Sequence, residues 1–389
     1  MSLLRLRGWL VGALVFAALS GCRSSEFDLE AEQDVSEASL FQLSEEGGFV
    51  LPDVPETNPL TNERIELGRH LFYDKRLSGN QSQSCESCHF QELAFSDGKA
   101  LPMGSTGEVL ARNSQTLTNV AYNATYTWWN PIFIRVEQQL SVPLTGDEPV
   151  ELGINDANQS EVLERLSQDE RYQTLFDKAF PDDAEPYTLV NVTRALAAFT
   201  RILISDRSPF DRNELTDSAR RGKDLFFSEK TECFHCHNGF NFSSSTVTAN
   251  TRFAERPFFN TGLYNLNQNG SYPADNTGKY QVTNDWVDMG AFRPPTLRNV
   301  ELTAPYMHDG SIETLEEVIE FYAAGGRNIT AGEHAGDGRL NPFKSDFVNG
   351  FSLSDQEKTD LVNFLKSLTD QEFITDARFA NPWPQESAQ

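Results

Sequence analysis

The chain has 389 residues, 57 of them acidic and 32 basic, for a formal charge of −25. That length supports more than one packed core. So acidic a balance excludes nucleic acid and an anionic membrane surface as partners, since both demand a basic patch.

The first 22 residues, MSLLRLRGWLVGALVFAALSGC, set Arg5 and Arg7 before an apolar run from Trp9 to Leu19 and end in Ser20-Gly21-Cys22. Charge and run length describe an export signal, too short for a comfortable membrane span. The ending resembles the bacterial lipoprotein box, in which the cysteine becomes the acylated first residue; ordinary cleavage with Cys22 lost is the plainer alternative. Residues 23–54 are polar, acidic and aperiodic, as a flexible tether is. The mature protein is therefore expected on the periplasmic side of a Gram-negative envelope, touching a membrane only through lipid on Cys22.

PLTNERIELGRHLFYDKRLS predicts a helix starting near Thr61, with Ile65, Leu67, Leu71 and Phe72 on its apolar side. TDSARRGKDLFFSEKTECFHCH repeats that logic: Gly68 and Gly222 each precede a Leu-Phe-aromatic triplet, and each triplet leads into C-x-x-C-H. TLTNVAYN from Thr116 and TLRNVELT from Thr296 form a second echo in the same order, so one domain plan is used twice. Helical patterns run over 159–178 and 187–204, and ISDRSPFDR then turns the chain, placing a boundary near Ser208. Residues 240–290, rich in Asn, Gly and Thr, read as long loops. SDQEKTDLVNFLKSL opens with Ser354 and Glu357 in capping-box spacing and reads as an amphipathic helix. Little alternates with period two, so the fold class is mainly α.

Five cysteines are present. Cys22 aside, they form two motifs, Cys85-Glu-Ser-Cys88-His89 and Cys233-Phe-His-Cys236-His237. C-x-x-C-H is the attachment signature of c-type haem: two thiols bond the porphyrin and the adjacent histidine reaches the iron. Two occurrences using every remaining cysteine point to two covalent haem c groups with His89 and His237 as proximal ligands. Two disulfides are the rival reading for an exported chain, and a redox dithiol that for either motif alone. Zinc lacks a matching fourth ligand.

The opposite faces of the irons decide function. The other histidines are His70, His235, His308 and His334, and the methionines beyond Met1 are Met103, Met289 and Met307. His235 lies inside an attachment loop, His70 is expected as a surface or packing residue, and His334 on a surface loop. Strong second ligands for both irons are hard to assemble, so one iron is expected to keep an open face, as peroxide activation requires.

Residues 55–370 resemble the bacterial dihaem cytochrome c peroxidase and MauG superfamily. The paired motifs carry the resemblance, with RNSQTLTNVAYN after the first and TLRNVELTAPYMHDGSIETLEEV after the second. It implies two cytochrome c-like haem domains in one chain with long connecting loops, over 55–207 and 208–389, and a Ca²⁺ ion between the haems. Counting back from Arg112, the family's distal histidine falls on Ser105, which leaves the His89 haem ready for hydrogen peroxide. Fourteen residues after His308, where a peroxidase places an axial methionine, stands Tyr322; it matches the tyrosine ligand of MauG, with Met307 and Met289 as rivals. Without the family, Tyr322 would read as core packing beside Leu315, Val318 and Ile319.

Asn113, Thr303 and Pro305 match the calcium ligands. The bridging tryptophan falls on Trp128, with Trp129 adjacent, and the distal acid–base carboxylate on Glu151, with Glu148 competing. Pro143 is expected to line the same pocket. His308 is expected near the second haem's propionates or the calcium.

NPLTNERIELGRHLFYDKRLSGNQSQSCESCH and TWWNPIF are similar to the MbnH branch, associated with converting a tryptophan of a partner, MbnP, to kynurenine. That resemblance implies a peroxide-dependent bis-Fe(IV) state that oxidises a tryptophan on a periplasmic or surface protein. The alternatives are a cytochrome c peroxidase fed by a small cytochrome and a non-enzymatic dihaem electron carrier.

Overall fold

The computed structural model describes residues 48–384, all within one compact unit. The expected export signal, Cys22 and nearly all of the tether lie outside the described residues. Helix α1, Asn62–Tyr73, starts where the sequence predicts, with Thr61 Oγ1 accepting the Arg64 N–H (3.2 Å). It buries Ile65, Leu67, Leu71 and Phe72. The next helices are α2, Val136–Thr145, α3, Gln159–Ser167, α4, Glu170–Ala179, and α5, Leu189–Arg201. The single helix expected over 159–178 is thus two. Asp169 breaks it: its carboxylate accepts the Arg171 and Tyr172 N–H groups and starts a new helix instead of continuing the old one.

After the midpoint come α6, Asp217–Phe226, the single-turn α7, Tyr280–Thr283, α8, Leu315–Ala323, and α9, Asp355–Lys366. Both α8 and α9 open with capping boxes, Thr314 with Glu317 and the predicted Ser354 with Glu357. Strands β1, Asn328–Ile329, and β2, Gly336–Asp337, pair antiparallel with Asn328 opposite Asp337. The chain is mainly α, as expected, and no helix among the described residues is long and apolar enough to cross a membrane.

The sequence echoes are contacts used twice. Helix α1 crosses α5 so closely that a Cβ on Gly68 would lie 2.0 Å from the Ala195 carbonyl oxygen. Helix α6 crosses α9 in the same way, and a Cβ on Gly222 would lie 1.9 Å from the Asp360 carbonyl oxygen. In the second echo, Thr116 Oγ1 donates to the Ala94 carbonyl and Thr296 Oγ1 to that of Asn241. Asn119 and Asn299 both take left-handed φ, 55° and 59°. Each then ties down the chain leaving the helix behind it: Asn119 N–H donates to Leu203 O and its Oδ1 accepts Ser205 N–H. Asn299 does the same with Leu368 O and Asp370 N–H.

One apolar core runs through α1 to α5 and a second gathers Phe226, Phe242, Leu315, Leu361 and Phe364. A buried ion pair anchors each: Arg201 with Glu137 (2.6 Å) and Arg298 with Asp211 (2.8 Å). Residues 240–290 are mainly irregular, as expected, yet they are not loose. Leu263, Tyr264, Tyr272 and Met289 are buried in a third cluster with Phe321 of α8. The chain's end returns to the first core, where Phe373 and Phe379 pack and Trp383 Nε1 donates to the His70 carbonyl (3.1 Å).

Candidate active site

Each C-x-x-C-H forms a tight turn followed by a loop that folds back on its histidine. Cys85–Ser87 and Cys233–His235 are single 3₁₀ turns. Beyond them, Phe95 (φ 60°) and Phe242 (φ 48°) adopt left-handed backbone. Their carbonyls meet the histidine rings: His89 Nδ1 lies 2.7 Å from Phe95 O and His237 Nδ1 lies 3.0 Å from Phe242 O. A carbonyl only accepts, so the proton belongs on Nδ1 and Nε2 is left as a ligand atom. Burial lowers the basicity of both rings, His237 to about 4, which keeps them neutral as metal ligation needs.

The four motif cysteines are not bridged to one another. Burial pushes them up, Cys85, Cys88 and Cys236 to about 12 and Cys233 to about 11. That is the reverse of the depressed thiol of a redox C-x-x-C. Nor does either motif bring its Cys, Cys and His donors together; among the described residues only Glu229, Glu232 and His235 cluster at metal-ligand range. Paired thiols beside a neutral histidine suit covalent haem attachment, and neither motif gathers the donors of a zinc site among the described residues.

The His89 site has Glu151 beside its thiols, close enough for its charge to disfavour both thiolates. Burial alone pushes the Glu151 carboxyl up to about 7. Ser105 donates its N–H to the Glu151 carbonyl (2.8 Å), so the two residues are neighbours along the backbone. Pro143, in α2, accepts the Leu152 N–H (2.9 Å) and fixes the same loop from behind. Glu148 is exposed, as is Met103, at 51%.

The His237 site is a deep cavity that gathers most of the remaining predicted residues: Cys233, Cys236, Tyr322, His308 and Trp128 line it with Asn113, Thr303 and Pro305. Tyr322 enters from α8, and burial, with Cys236 and Cys233 nearby, pushes its phenol up. Met307 lines the cavity too, whereas Met289 is buried in the third cluster. Trp128 Nε1 donates to the Asn113 carbonyl (2.9 Å), while Trp129 stacks 5.0 Å under the Arg112 guanidinium. The Asn113 amide nitrogen is taken by Lys99 O (2.7 Å), which turns its oxygen the other way.

Arg293, which the sequence did not single out, also lines this cavity. Arg293 is 3% exposed and, among the described residues, its guanidinium meets only neutral oxygens, of Gln115, Thr127 and Pro294. Burial lowers it to about 10. Arg112 Nε and His308 Nε2 are buried without a hydrogen-bond partner. Buried positive charge without a carboxylate is costly, and the two propionates of a haem would supply the missing partners. The remaining histidines are accounted for. His70 packs edge-on against Trp383 (5.2 Å), His235 pairs with Glu232 (2.7 Å) and stacks on Phe347, and His334 is half-buried beside Tyr264.

A family model described as di-haem cytochrome c peroxidase (CCP_MauG) matches residues 62–220. Cytochrome-c peroxidase IdrP1 of Denitromonas iodatirespirans is 34% identical over 337 residues, covering 81% of this chain and 84% of that protein. The chain belongs to the dihaem cytochrome c peroxidase and MauG family. It is a haem-dependent oxidoreductase of the peroxidase type. The methylamine utilization protein MauG of Methylorubrum extorquens is 31% identical, over 92% of this chain and 91% of its own length. A crystal structure described as a MauG-like protein associated with microbial copper homeostasis is 47% identical, with a TM-score of 0.85 over 86% of this chain and 97% of that one.

Proposed function

We propose that this enzyme uses hydrogen peroxide to oxidise a tryptophan on a docked partner protein, in the manner of the MbnH branch and with kynurenine as the product class. The observation that carries the reading is Tyr322, which shares the cavity of His237; Ser105, at the counted place of the family's distal histidine, supports it. Haem bound at the two sites supplies peroxide reduction at one and storage of an oxidising equivalent at the other. The chain's own residues do the rest. His89 and His237 hold their groups through Nε2, oriented by Phe95 and Phe242.

Reducing hydrogen peroxide to two waters takes two electrons and two protons, and one proton must move between the peroxide oxygens. Glu151, with a carboxyl near 7, accepts and returns that proton at neutral pH. Tyr322 would meet its iron as a phenolate, a hard donor that favours the oxidised metal. Trp128, on the cavity wall, relays charge between the sites. Asn113, Thr303 and Pro305 would offer oxygens to a calcium ion. The partner gives up electrons through the surface, and the charge of −25 favours a basic or neutral docking face on it. Export to the periplasm with a lipid on Cys22 belongs to the same reading.

A second reading has its own support. Met307 lines the cavity with Tyr322, and IdrP1 is named a cytochrome-c peroxidase, so electrons from a small cytochrome are the alternative. Adding peroxide to the diferric holoprotein separates the two. The oxidase reading expects a two-electron-oxidised optical signature without prior reduction, altered by Tyr322→Phe, and a modified tryptophan on mass mapping of a co-expressed neighbouring protein. Turnover that requires a reduced cytochrome, unaffected by Tyr322→Phe, contradicts it.

A further inference from the structure

A file of aromatic rings leads from the His237 cavity to the surface, and the peroxide chemistry leaves it unused. Phe292 and His308 stack 3.7 Å apart on the cavity wall. The Tyr272 ring lies 6.3 Å from each of them, Tyr264 lies 5.4 Å from Tyr272, and His334 lies 5.4 Å beyond Tyr264. Both tyrosines are buried, at 4% and 6% exposure, and His334 reaches solvent. Packing alone would be served by phenylalanine, so the hydroxyl partners are the informative feature.

Those partners differ. Tyr272 Oη donates to the Asn260 amide oxygen (2.8 Å) and accepts the Leu263 N–H (3.1 Å). An amide cannot hold a proton, so an oxidised Tyr272 has nowhere to leave one. Tyr264 Oη donates to Asp309 Oδ2 (2.6 Å). That carboxylate takes the proton that an oxidised phenol, a strong acid, gives up. Arg327 sits 4.7 Å over the Tyr264 ring and disfavours a cationic ring there. A hole therefore comes to rest on Tyr264 only as a neutral radical, with its proton already on Asp309.

We propose that Tyr264 is a redox-active site, reached from the His237 cavity by way of Tyr272, at which an oxidising equivalent left by hydrogen peroxide waits one ring from the surface. One electron leaves Tyr264 for the oxidised haem, its O–H bond breaks, and the proton bonds to Asp309. An electron from an outside donor, delivered past His334, restores the phenol and returns the proton. The proposal rests on the reading above in needing peroxide-derived oxidising equivalents beside His237, and it names the face through which a partner is oxidised.

The test is freeze-quench electron paramagnetic resonance on the holoprotein after peroxide, without donor, in unlabelled and ring-deuterated tyrosine forms. The expected result is a tyrosyl signal narrowed by deuteration. Tyr264→Phe, which keeps the ring, should remove it while leaving the peroxide-induced Soret change intact; Asp309→Asn should also remove it, and Tyr272→Phe should slow its growth. Survival of the signal in Tyr264→Phe, or a full Soret change with no tyrosyl signal in the parent, overturns the proposal. A Soret band indifferent to peroxide overturns the oxidase reading and this proposal together, so the two failures are told apart.

Discussion

The half built around His89 and the half built around His237 hold their attachment loops by the same contacts and face them with different side chains. Gly68 and Gly222 admit equivalent helix crossings, and Asn119 and Asn299 tie down equivalent segments that leave α5 and α9. Phe95 and Phe242 present the same carbonyl to the same ring atom. Past this shared frame the halves part. One sets a carboxyl near 7 beside its thiols; the other sets a buried phenol, a tryptophan and an uncompensated arginine around its own. The duplicated part frames each C-x-x-C-H motif, and the divergent part sets different side chains against it.

The largest effects should come from removing one site at a time. Cys85→Ser with Cys88→Ser, and Cys233→Ser with Cys236→Ser, should each halve covalent haem by haem-stained mass analysis. Only the first should abolish the peroxide-induced optical change. Next, Glu151→Gln should slow the reaction with peroxide by about 10²–10⁴-fold and erase a rate limb near pH 7 in stopped-flow profiles. The same group affects stability. Its folded carboxyl titrates above the ordinary value of 4.5, so its contribution is full below 4.5 and is lost as pH rises through about 7. Glu151→Gln should flatten that decline in urea unfolding.

A smaller contrast concerns the two buried ion pairs. Asp211→Ala strands Arg298, whose side chain is 1% exposed, and should cost about 3–5 kcal/mol in urea unfolding. Burial opposes ionisation of Asp211, but its hydrogen bonds from Arg298 outweigh that and hold its carboxyl below the usual range. Glu137→Ala should cost less, because Glu137 is 23% exposed and water reaches the vacated place. The smallest expected effect is also the most symmetrical. Gly68→Ala and Gly222→Ala should each cost about 1–3 kcal/mol by overpacking, and a clear inequality would show that the two helix crossings are not equivalent.

Much of the frame was legible because it is local. Thr61, Ser354 and Glu357 announce helix starts through their own side chains, and the paired glycines and Thr-Asn strings mark contacts that recur. The break at Asp169 is local as well, but it sits in an unbroken amphipathic pattern that hides it. Arg293, Tyr264 and Tyr272 were not legible. They lie in or beside a long stretch without periodicity, and their meaning comes from neighbours that the fold brings from far along the chain, such as Gln115 to Arg293 and Asp309 to Tyr264. The different surroundings of Trp128 and Trp129 were equally hidden, because adjacent residues diverge only when the fold turns one to the cavity and the other to an arginine.

The asymmetry between the two irons is tested most directly by low-temperature electron paramagnetic resonance of the diferric holoprotein, beside a Tyr322→Phe variant. The account predicts one high-spin ferric signal from the His89 site and one low-spin signal from the His237 site, with only the low-spin signal changed in the variant. Two low-spin signals, or a low-spin signal indifferent to Tyr322→Phe, would contradict it.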